Sequence, residues 1–356
     1  MKKCLDLAML GLNKTKTNPL VGCVIVHNGK IVSTGYHEKF GGPHAEKNAI
    51  NNLKKNYHNN YKTILRDSII YINLEPCTHY GKTPPCTELI IKNQIKKVII
   101  GTLDPFKKVN GSGIQQLKKY SEVLVGVNKK ECQIINKKYF INQKWKRPFI
   151  VLKWAQSKDG FINNSSKGIT KISGKESIKL SHKWRSEMDA IMVGTNTVLC
   201  DNPQLTTRNI VGKNPIRITI DRNNRLKSQK WEIMNKDART IILHEKNSFK
   251  IDNIYYLDYR KSKEKKSNCD QKKMTNIMKV LYQNGITSIL VEGGSTILNN
   301  LIDQGLWDEA RIFVSNKKLS EGVKGPTIPY KKKLCKIRKL GQDKLFLITN
   351  NNELII

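Results

Sequence analysis

The stretch Pro76-Cys-Thr-His-Tyr-Gly-Lys-Thr-Pro-Pro-Cys86, read together with His44-Ala-Glu46 upstream, decides the character of the first half of this chain. Cys77 and Cys86 stand with eight residues between them, each directly after a proline. An imidazole and two thiolates bind Zn²⁺ tetrahedrally and leave one position for a water whose pKa the metal lowers towards neutrality. Glu46, two residues after His44, is placed to carry protons without ligating the metal. Both His44 and Cys86 fall at expected helix starts, where the positive end of the helix favours a thiolate, and Pro76-Cys77 ends an expected strand. Around these residues the pattern alternates: a helix from Lys2, an apolar run Val21 to Val26, a helix after His44, a strand Ser68 to Leu74, a helix from Thr87 and a strand Lys97 to Thr102. That alternation predicts an α/β domain.

Further along, Val123 to Val127 is followed by an expected polar helix, Asn128 to Asn142, and then by Lys144-Trp-Lys-Arg-Pro148 and a new strand, Phe149 to Trp154. A boundary near Lys146 gives two expected domains, 1–145 and 147–356. The second repeats the alternation, with strands at Ala190 to Gly194, Ile216 to Asp221, Thr240 to His244 and Ser288 to Glu292, and an amphipathic helix from Met274 to Gln283. Lys261 to Lys273, rich in Lys and Ser without an apolar period, reads as an exposed loop. The 356 residues are 38% hydrophobic with 5 Trp, 12 Tyr and 8 Phe, which supports packed cores and argues against disorder. Apolar runs are strand-sized, short of the roughly 20 residues that span a bilayer, so no membrane partner is expected. Asp6 interrupts the N-terminal apolar stretch, which reads as a surface helix, and a cytoplasmic protein is expected. The 8 Cys are irregularly spaced, as reduced thiols or metal ligands are. With 64 Lys+Arg against 29 Asp+Glu the net charge is +35, but the Lys residues are spread through the chain, and no specific nucleic-acid partner is expected.

The His-Cys-Cys set with an adjacent Glu is the arrangement of zinc deaminases, which exchange an amidine-type amino group for oxygen. The insertion between Cys77 and Cys86 departs from the shorter Pro-Cys-x-x-Cys spacing of cytidine and tRNA-adenosine deaminases. Together with Asn18-Pro-Leu-Val-Gly22 upstream, and Asp104-Pro105 and Asn110-Gly-Ser-Gly113 downstream, it resembles the deaminase half of the RibD family of bifunctional riboflavin-biosynthesis deaminase/reductases. The resemblance implies a cytidine-deaminase-like domain acting on 2,5-diamino-6-(ribosylamino)pyrimidin-4-one 5'-phosphate. It makes His44, Cys77 and Cys86 the zinc ligands and Glu46 the catalytic acid-base, with Asn18, His79 and the turn at Asn110 touching substrate.

No G-x-G-x-x-G follows a strand in the second domain, which argues against an ordinary Rossmann site. It carries instead Leu290-Val-Glu-Gly-Gly-Ser-Thr296, a strand, two glycines and a helix start of the kind that holds phosphate on backbone amides. With Lys153-Trp-Ala-Gln-Ser-Lys-Asp-Gly160, His182-Lys-Trp-Arg-Ser186, Gly194-Thr-Asn-Thr-Val-Leu-Cys-Asp-Asn-Pro203 and Pro215-Ile-Arg-Ile-Thr-Ile-Asp221, it resembles the reductase half of the same family. The implied fold is like dihydrofolate reductase and the implied cofactor is NADPH, which reduces the ribosyl chain to ribityl. Ala155, Lys171, Thr197, Asp201, Arg222 and the run Gly294, Ser295, Thr296, Ile297, Leu298, Asn299 and Asn300 are then expected at NADPH. Ile169, Arg185, Leu205, Arg208 and Glu292 are expected at substrate, with Arg185 or Arg208 suited to its phosphate. Relatives commonly carry Ser and Trp where this chain has Ile169 and Lys171, so contacts from that loop do not transfer by chemistry. The implied partner is a small pyrimidine ribotide phosphate, and a homo-oligomer is compatible with all of this. The competing reading is an RNA-editing nucleobase deaminase with a basic RNA-binding second domain, which should show an RNA-binding pattern there.

Overall fold

The computed structural model describes residues 1–81, 84–164, 170–227, 231–261, 270–329 and 334–350. They divide into two compact units, Met1–Trp145 and one that begins at Lys146. Among the described residues, no helix is long and apolar enough to cross a membrane.

The first unit runs α1 (Lys2–Met9), β1 (Gly22–His27), β2 (Lys30–Tyr36), α2 (Ala45–Tyr57), α3 (Tyr61–Arg66), β3 (Ser68–Ile72), α4 (Cys86–Lys92), β4 (Lys97–Ile100), α5 (Ser112–Leu117), β5 (Glu122–Val125), α6 (Lys129–Ile135) and α7 (Lys137–Trp145). Its sheet has the order β2-β1-β3-β4-β5, with β1 antiparallel to both neighbours and β3, β4 and β5 parallel. Strand alternation sends Cys23, Ile25, Ile70, Ile72, Val98 and Ile100 into one core with Ala49, Ile50 and Leu53 of α2, Ile90 of α4 and Leu117 of α5. Each fully buried Ile or Leu contributes about 1.5–3 kcal/mol there. The single polar helix expected over Asn128 to Asn142 is instead two, α6 and α7. At Asn136 the backbone leaves the helix (φ −104°, ψ 13°). The buried Asn136 amide bonds both backbone groups of Leu20, accepting from its N–H at 2.7 Å and donating to its carbonyl at 2.9 Å. Asn73 donates to the same carbonyl at 3.0 Å and accepts from Gly22 N–H at 2.7 Å, so two buried amides clamp the Asn18–Gly22 approach.

The second unit runs β6 (Phe149–Gln156), β7 (Phe161–Asn163), α8 (Lys175–Glu187), β8 (Ala190–Gly194), α9 (Thr195–Asp201), β9 (Ile216–Ile220), β10 (Thr240–His244), β11 (Phe249–Ile251), β12 (Ile254–Asp258), α10 (Asp270–Gln283), β13 (Ser288–Gly293), α11 (Ser295–Asp303), β14 (Glu309–Val314), β15 (Val323–Lys324), β16 (Cys335–Leu340) and β17 (Asp343–Thr349). Its large sheet has the order β11-β12-β10-β9-β8-β13-β6-β14-β17-β16. The strands from β12 across to β14 are parallel, β11 and β17 run antiparallel to them, and β16 pairs antiparallel with β17 at the edge. Both faces are covered, as a parallel sheet requires. Ala190, Met192, Ile241 and Leu243 face α10 and α11, while Ile191, Val193 and Ile242 meet Leu205, Leu226, Ile233 and Met234. The expected exposed loop Lys261 to Lys273 is corrected at its end: α10 already begins at Asp270, a polar first turn ahead of the apolar period at Met274, Ile277, Met278 and Leu281. Residues 262–269 lie outside the described ones. A buried fork joins β6 to the approach to β14, with Arg147 donating to both oxygens of Asp308 at 2.7 and 2.8 Å. The parallel strands deliver Ala155, Gly194 and Glu292 at their carboxyl ends, the side of an α/β sheet where ligands bind.

Candidate active sites

In the first unit, His44 is the residue before α2 and is extended (φ −74°, ψ 164°), which holds its ring at the helix N-terminus. Cys86 opens α4, and Cys77 lies in the loop after β3. His44 Nδ1 is 3.5 Å from Cys77 Sγ and 3.4 Å from Cys86 Sγ, and the three donor atoms lie within 4.8 Å of one another. A tetrahedral ion with bonds of about 2.0 Å to nitrogen and about 2.3 Å to sulfur has N···S edges of about 3.5 Å, so the donor set fits zinc in size and chemistry. The ligating nitrogen is thereby Nδ1. The Cys86 amide N–H donates to Cys77 Sγ at 3.4 Å. Hydrogen bonds from the Cys86 thiol, then from His44 and this amide, pull Cys77 down to about 4, while its partner Cys86 is pushed up because one thiol keeps the shared proton. Glu46, in the first turn of α2, is 3% exposed, and burial raises its pKa against the opposing pull of the His44 charge.

Asn18 Nδ2 donates to His37 Nε2 at 3.0 Å, and His37 Nδ1 faces the Pro43 carbonyl at 3.0 Å, a pairing that fixes the neutral Nδ1–H tautomer. Burial pulls the His37 pKa down in the same sense, and its ring stands edge-on to that of His44 at 5.5 Å. Sequence reasoning passed over His37, although it lies in the same run as His44. His79 packs edge-on against Phe106 at 5.3 Å, with Nδ1 buried and unbonded among the described residues. Asn110 is exposed in its turn. The amides of that turn are largely spoken for: the buried Glu75 carboxylate accepts from Gly111 N–H at 3.0 Å, Gly113 N–H at 2.9 Å, and Asp104 and Ile114 N–H at 3.2 Å. A Cβ on Gly113 would lie 2.5 Å from the Pro76 carbonyl oxygen, so only glycine allows this approach. Glu75 therefore ties the Gly-rich turn to the residues just before Cys77, a role with no signature in the sequence beyond its place beside Pro76.

In the second unit, a cavity of about 440 Å³ opens at the carboxyl ends of β6, β8 and β13, and its walls include Ala155, Lys171, Thr197, Asp201, Glu292, Gly294, Ser295 and Leu298. Glu292 accepts from Arg185 Nε at 2.9 Å and Nη2 at 2.7 Å, and lies 3.6 Å from Lys153 Nζ. Burial alone would push Glu292 up, but Arg185 and then Lys153 outweigh it and hold the carboxyl at about 2. Burial pulls Lys153 down, opposed by Glu292. Gly294 N–H donates to Thr197 Oγ1 at 2.9 Å, which ties the glycine turn to α9. Gly293 adopts φ 150°, a conformation side chains rarely take.

The remaining expected residues lie elsewhere. Arg185 is committed to Glu292 and to the Thr206 carbonyl, and the exposed Arg208 is bonded to Gln204 and Thr206. Leu205 is buried in the core, Ile297 packs with Leu298 in the other core, and Thr296, Asn299 and Asn300 are exposed on α11. Arg222 is exposed in the turn after β9. Ile169 lies outside the described residues. Lys153 went unassigned in the sequence reading; its only signal there was a lysine inside an otherwise apolar strand.

Residues 148–345 match the family described as RibD C-terminal domain, and residues 1–102 match the cytidine and deoxycytidylate deaminase zinc-binding region. The chain is 37% identical to riboflavin biosynthesis protein RibD of Aquifex aeolicus, covering 91% of this chain and 88% of that protein. The corresponding protein of Actinobacillus pleuropneumoniae is 37% identical, with 89% and 83% covered. A solved structure from Thermotoga maritima, titled a diaminohydroxyphosphoribosylaminopyrimidine deaminase/5-amino-6-(5-phosphoribosylamino)uracil reductase, superposes with a TM-score of 0.82 at 33% identity, covering 98% of this chain and 97% of that one. Acinetobacter baumannii RibD superposes at 0.78 with 27% identity, covering 98% and 97%.

Proposed function

The chain belongs to the RibD family of bifunctional riboflavin-biosynthesis deaminase/reductases, and from that premise we propose which substrates its two units take and which residues act on them. The first unit converts 2,5-diamino-6-(ribosylamino)pyrimidin-4-one 5'-phosphate to its uracil counterpart: a C–O bond forms at the amidine carbon, the C–N bond breaks and ammonia leaves. His44, Cys77 and Cys86 would hold zinc, which when bound would lower the pKa of a water. Glu46, raised by burial, is the group that can hold that water's proton and hand it to the ring nitrogen and the departing amine. Asn18 and His79 orient the ring from the loops beside the metal. The observation that carries this half is the pair of N···S edges of 3.5 and 3.4 Å beside a buried glutamate.

The second unit reduces the ribosyl side chain to ribityl. NADPH, when bound, would supply the hydride, and the protein has to place it and furnish one proton. Ala155, Lys171, Thr197, Asp201 and the turn at Gly294–Ser295 border the space a nicotinamide would fill. Of the other cofactor positions, the exposed Thr296, Asn299, Asn300 and Arg222 would meet the rest of the dinucleotide, Leu298 stands in the cavity wall, and Ile297 packs in the core. Lys153, a half-buried side chain at the cavity wall beside Glu292, is the proton donor as the ribosyl ring opens. Glu292, fixed as an anion by Arg185, holds Lys153 and can accept from ribosyl hydroxyls, and the Arg208 fork meets the 5'-phosphate. The second unit offers a cofactor-sized cavity and no RNA-binding pattern among the described residues, which disfavours the RNA-editing alternative. Mass spectrometry of products from the diaminopyrimidinone phosphate tests the reading: the deaminated ribosyl compound should accumulate without NADPH, and the ribityl compound should replace it when NADPH is added. Reduction preceding loss of ammonia, or RNA as the only substrate deaminated, would overturn it.

A further inference from the structure

His182 lies in α8 one turn before Arg185, in the motif His182-Lys-Trp-Arg-Ser186, and the mechanism above gives it no task. It is 4% exposed. Its Nδ1 lies 3.2 Å from the Arg208 backbone nitrogen, which donates to it, and 3.1 Å from the Thr206 carbonyl oxygen. One ring nitrogen cannot do both: a lone pair accepts from Arg208, or a proton is donated to Thr206. The Thr206 carbonyl already accepts from Arg185 Nη1 at 3.0 Å, whereas Arg208 N–H has no other acceptor among the described residues. A neutral imidazole protonated on Nε2 thus satisfies both backbone groups, and a proton on Nδ1 would set one N–H against another. The loop needs such a hold, because Leu205, a non-glycine residue, is kept at φ 55°.

We infer that His182 is a positioning residue of the reductase: neutral, it holds the Arg208 backbone N–H, and on protonation Nδ1 gives up that N–H and turns to the Thr206 carbonyl, releasing the Arg208 backbone. This rests on the reading above that Arg208 meets the substrate phosphate. The charged groups that face the ring are Arg185 from its own helix, Arg208 from the loop and Glu292 from β13. Burial and the two arginines disfavour a charged imidazole more than Glu292 and the Thr206 carbonyl favour it, so release falls on the acid side of the ordinary histidine range. Acidification should therefore raise the KM for the ribotide without a matching change in kcat or in NADPH affinity.

The test is steady-state reduction of 5-amino-6-ribosylaminouracil 5'-phosphate by the full chain from about pH 5 to about pH 8, with NADPH binding followed by fluorescence in parallel. Wild type, His182→Phe, His182→Gln and Arg208→Ala are compared. His182→Phe should raise KM roughly three- to tenfold at the alkaline end, the loss of one neutral hydrogen bond. His182→Gln keeps an acceptor that does not titrate, and should recover most of that loss. The substrate phosphate also titrates near pH 6, so the acid limb of His182→Gln is the phosphate's alone and the wild-type limb should be steeper. Superimposable limbs in wild type and His182→Gln would overturn the inference, as would a wild-type KM in His182→Phe, while a raised KM in Arg208→Ala still upheld the substrate reading. A wild-type KM in Arg208→Ala would overturn that reading itself. If His182→Phe loses NADPH binding through misfolding, the His182→Gln limb alone decides.

Discussion

Glu46 and Glu292 are both buried glutamates at the heart of a site, one in each unit, and their surroundings drive them in opposite directions. Around Glu46 burial dominates over the His44 ring and the weaker pull of hydrogen bonds from its own backbone and Cys86, and its pKa rises. Around Glu292 burial is outweighed by Arg185 and Lys153, and its pKa falls to about 2. The same side chain is thereby suited to carrying a proton in one unit and to standing as a fixed anion in the other, and the cations in contact make the difference.

The largest expected effect removes the metal that gives Glu46 its work. With Cys77→Ala and Cys86→Ala combined, zinc should fall from about one ion per chain to near zero by elemental analysis, and ammonia release should vanish. Zinc retained undiminished would break the first half of the comparison. Next, Glu292→Gln leaves Arg185 and Lys153 without their buried anion, which should cost the second unit about 3–5 kcal/mol in denaturant melts and depress reduction. The pH dependence has a definite sign. Because the folded pKa of about 2 lies below the unfolded value of about 4.3, the contribution of Glu292, about 3 kcal/mol, is full above that unfolded value. It drains away as pH falls through the folded one. Wild type should lose that increment on acidification and Glu292→Gln should not; parallel melting curves would contradict the ion-pair assignment. A smaller effect belongs to Glu75→Gln, which turns an amide N–H₂ towards backbone donors. It should cost the first unit about 1–3 kcal/mol and speed hydrogen exchange at Gly111 and Gly113. Unchanged exchange at those two amides would mean that Glu75 does not hold the turn.

The metal half of this comparison was legible in the sequence because ligand type, proline context and spacing all sit on short local runs: His44-Ala-Glu46 and the Cys77–Cys86 loop name their own chemistry. The anion half was only partly legible. Glu292 stood in a recognisable strand-glycine turn, but its partner Arg185 is 107 residues away, and nothing local shows that the guanidinium faces the carboxylate. Lys153 and Glu75 were missed for the same reason, since each acts through residues brought near only by the sheet order. Of the parallel strands of the second unit, β6, β8, β9, β10 and β13 announced themselves as apolar runs, whereas β12 and β14 were passed over and β16, with mostly exposed side chains, offers no such run. The break between α6 and α7 was invisible because its cause, the clamp of Asn136 on Leu20, spans 116 residues.

The central claim is that the two sites work independently, each with its own glutamate. Glu46→Gln measures it most directly, with zinc content and circular dichroism recorded on the same sample. Ammonia release from the diaminopyrimidinone phosphate should fall by about 10² to 10⁴, the usual worth of a positioned proton carrier. NADPH oxidation with separately supplied 5-amino-6-ribosylaminouracil 5'-phosphate should stay near wild type. Loss of both reactions in a folded, zinc-loaded protein would contradict the claim and point to one shared active site.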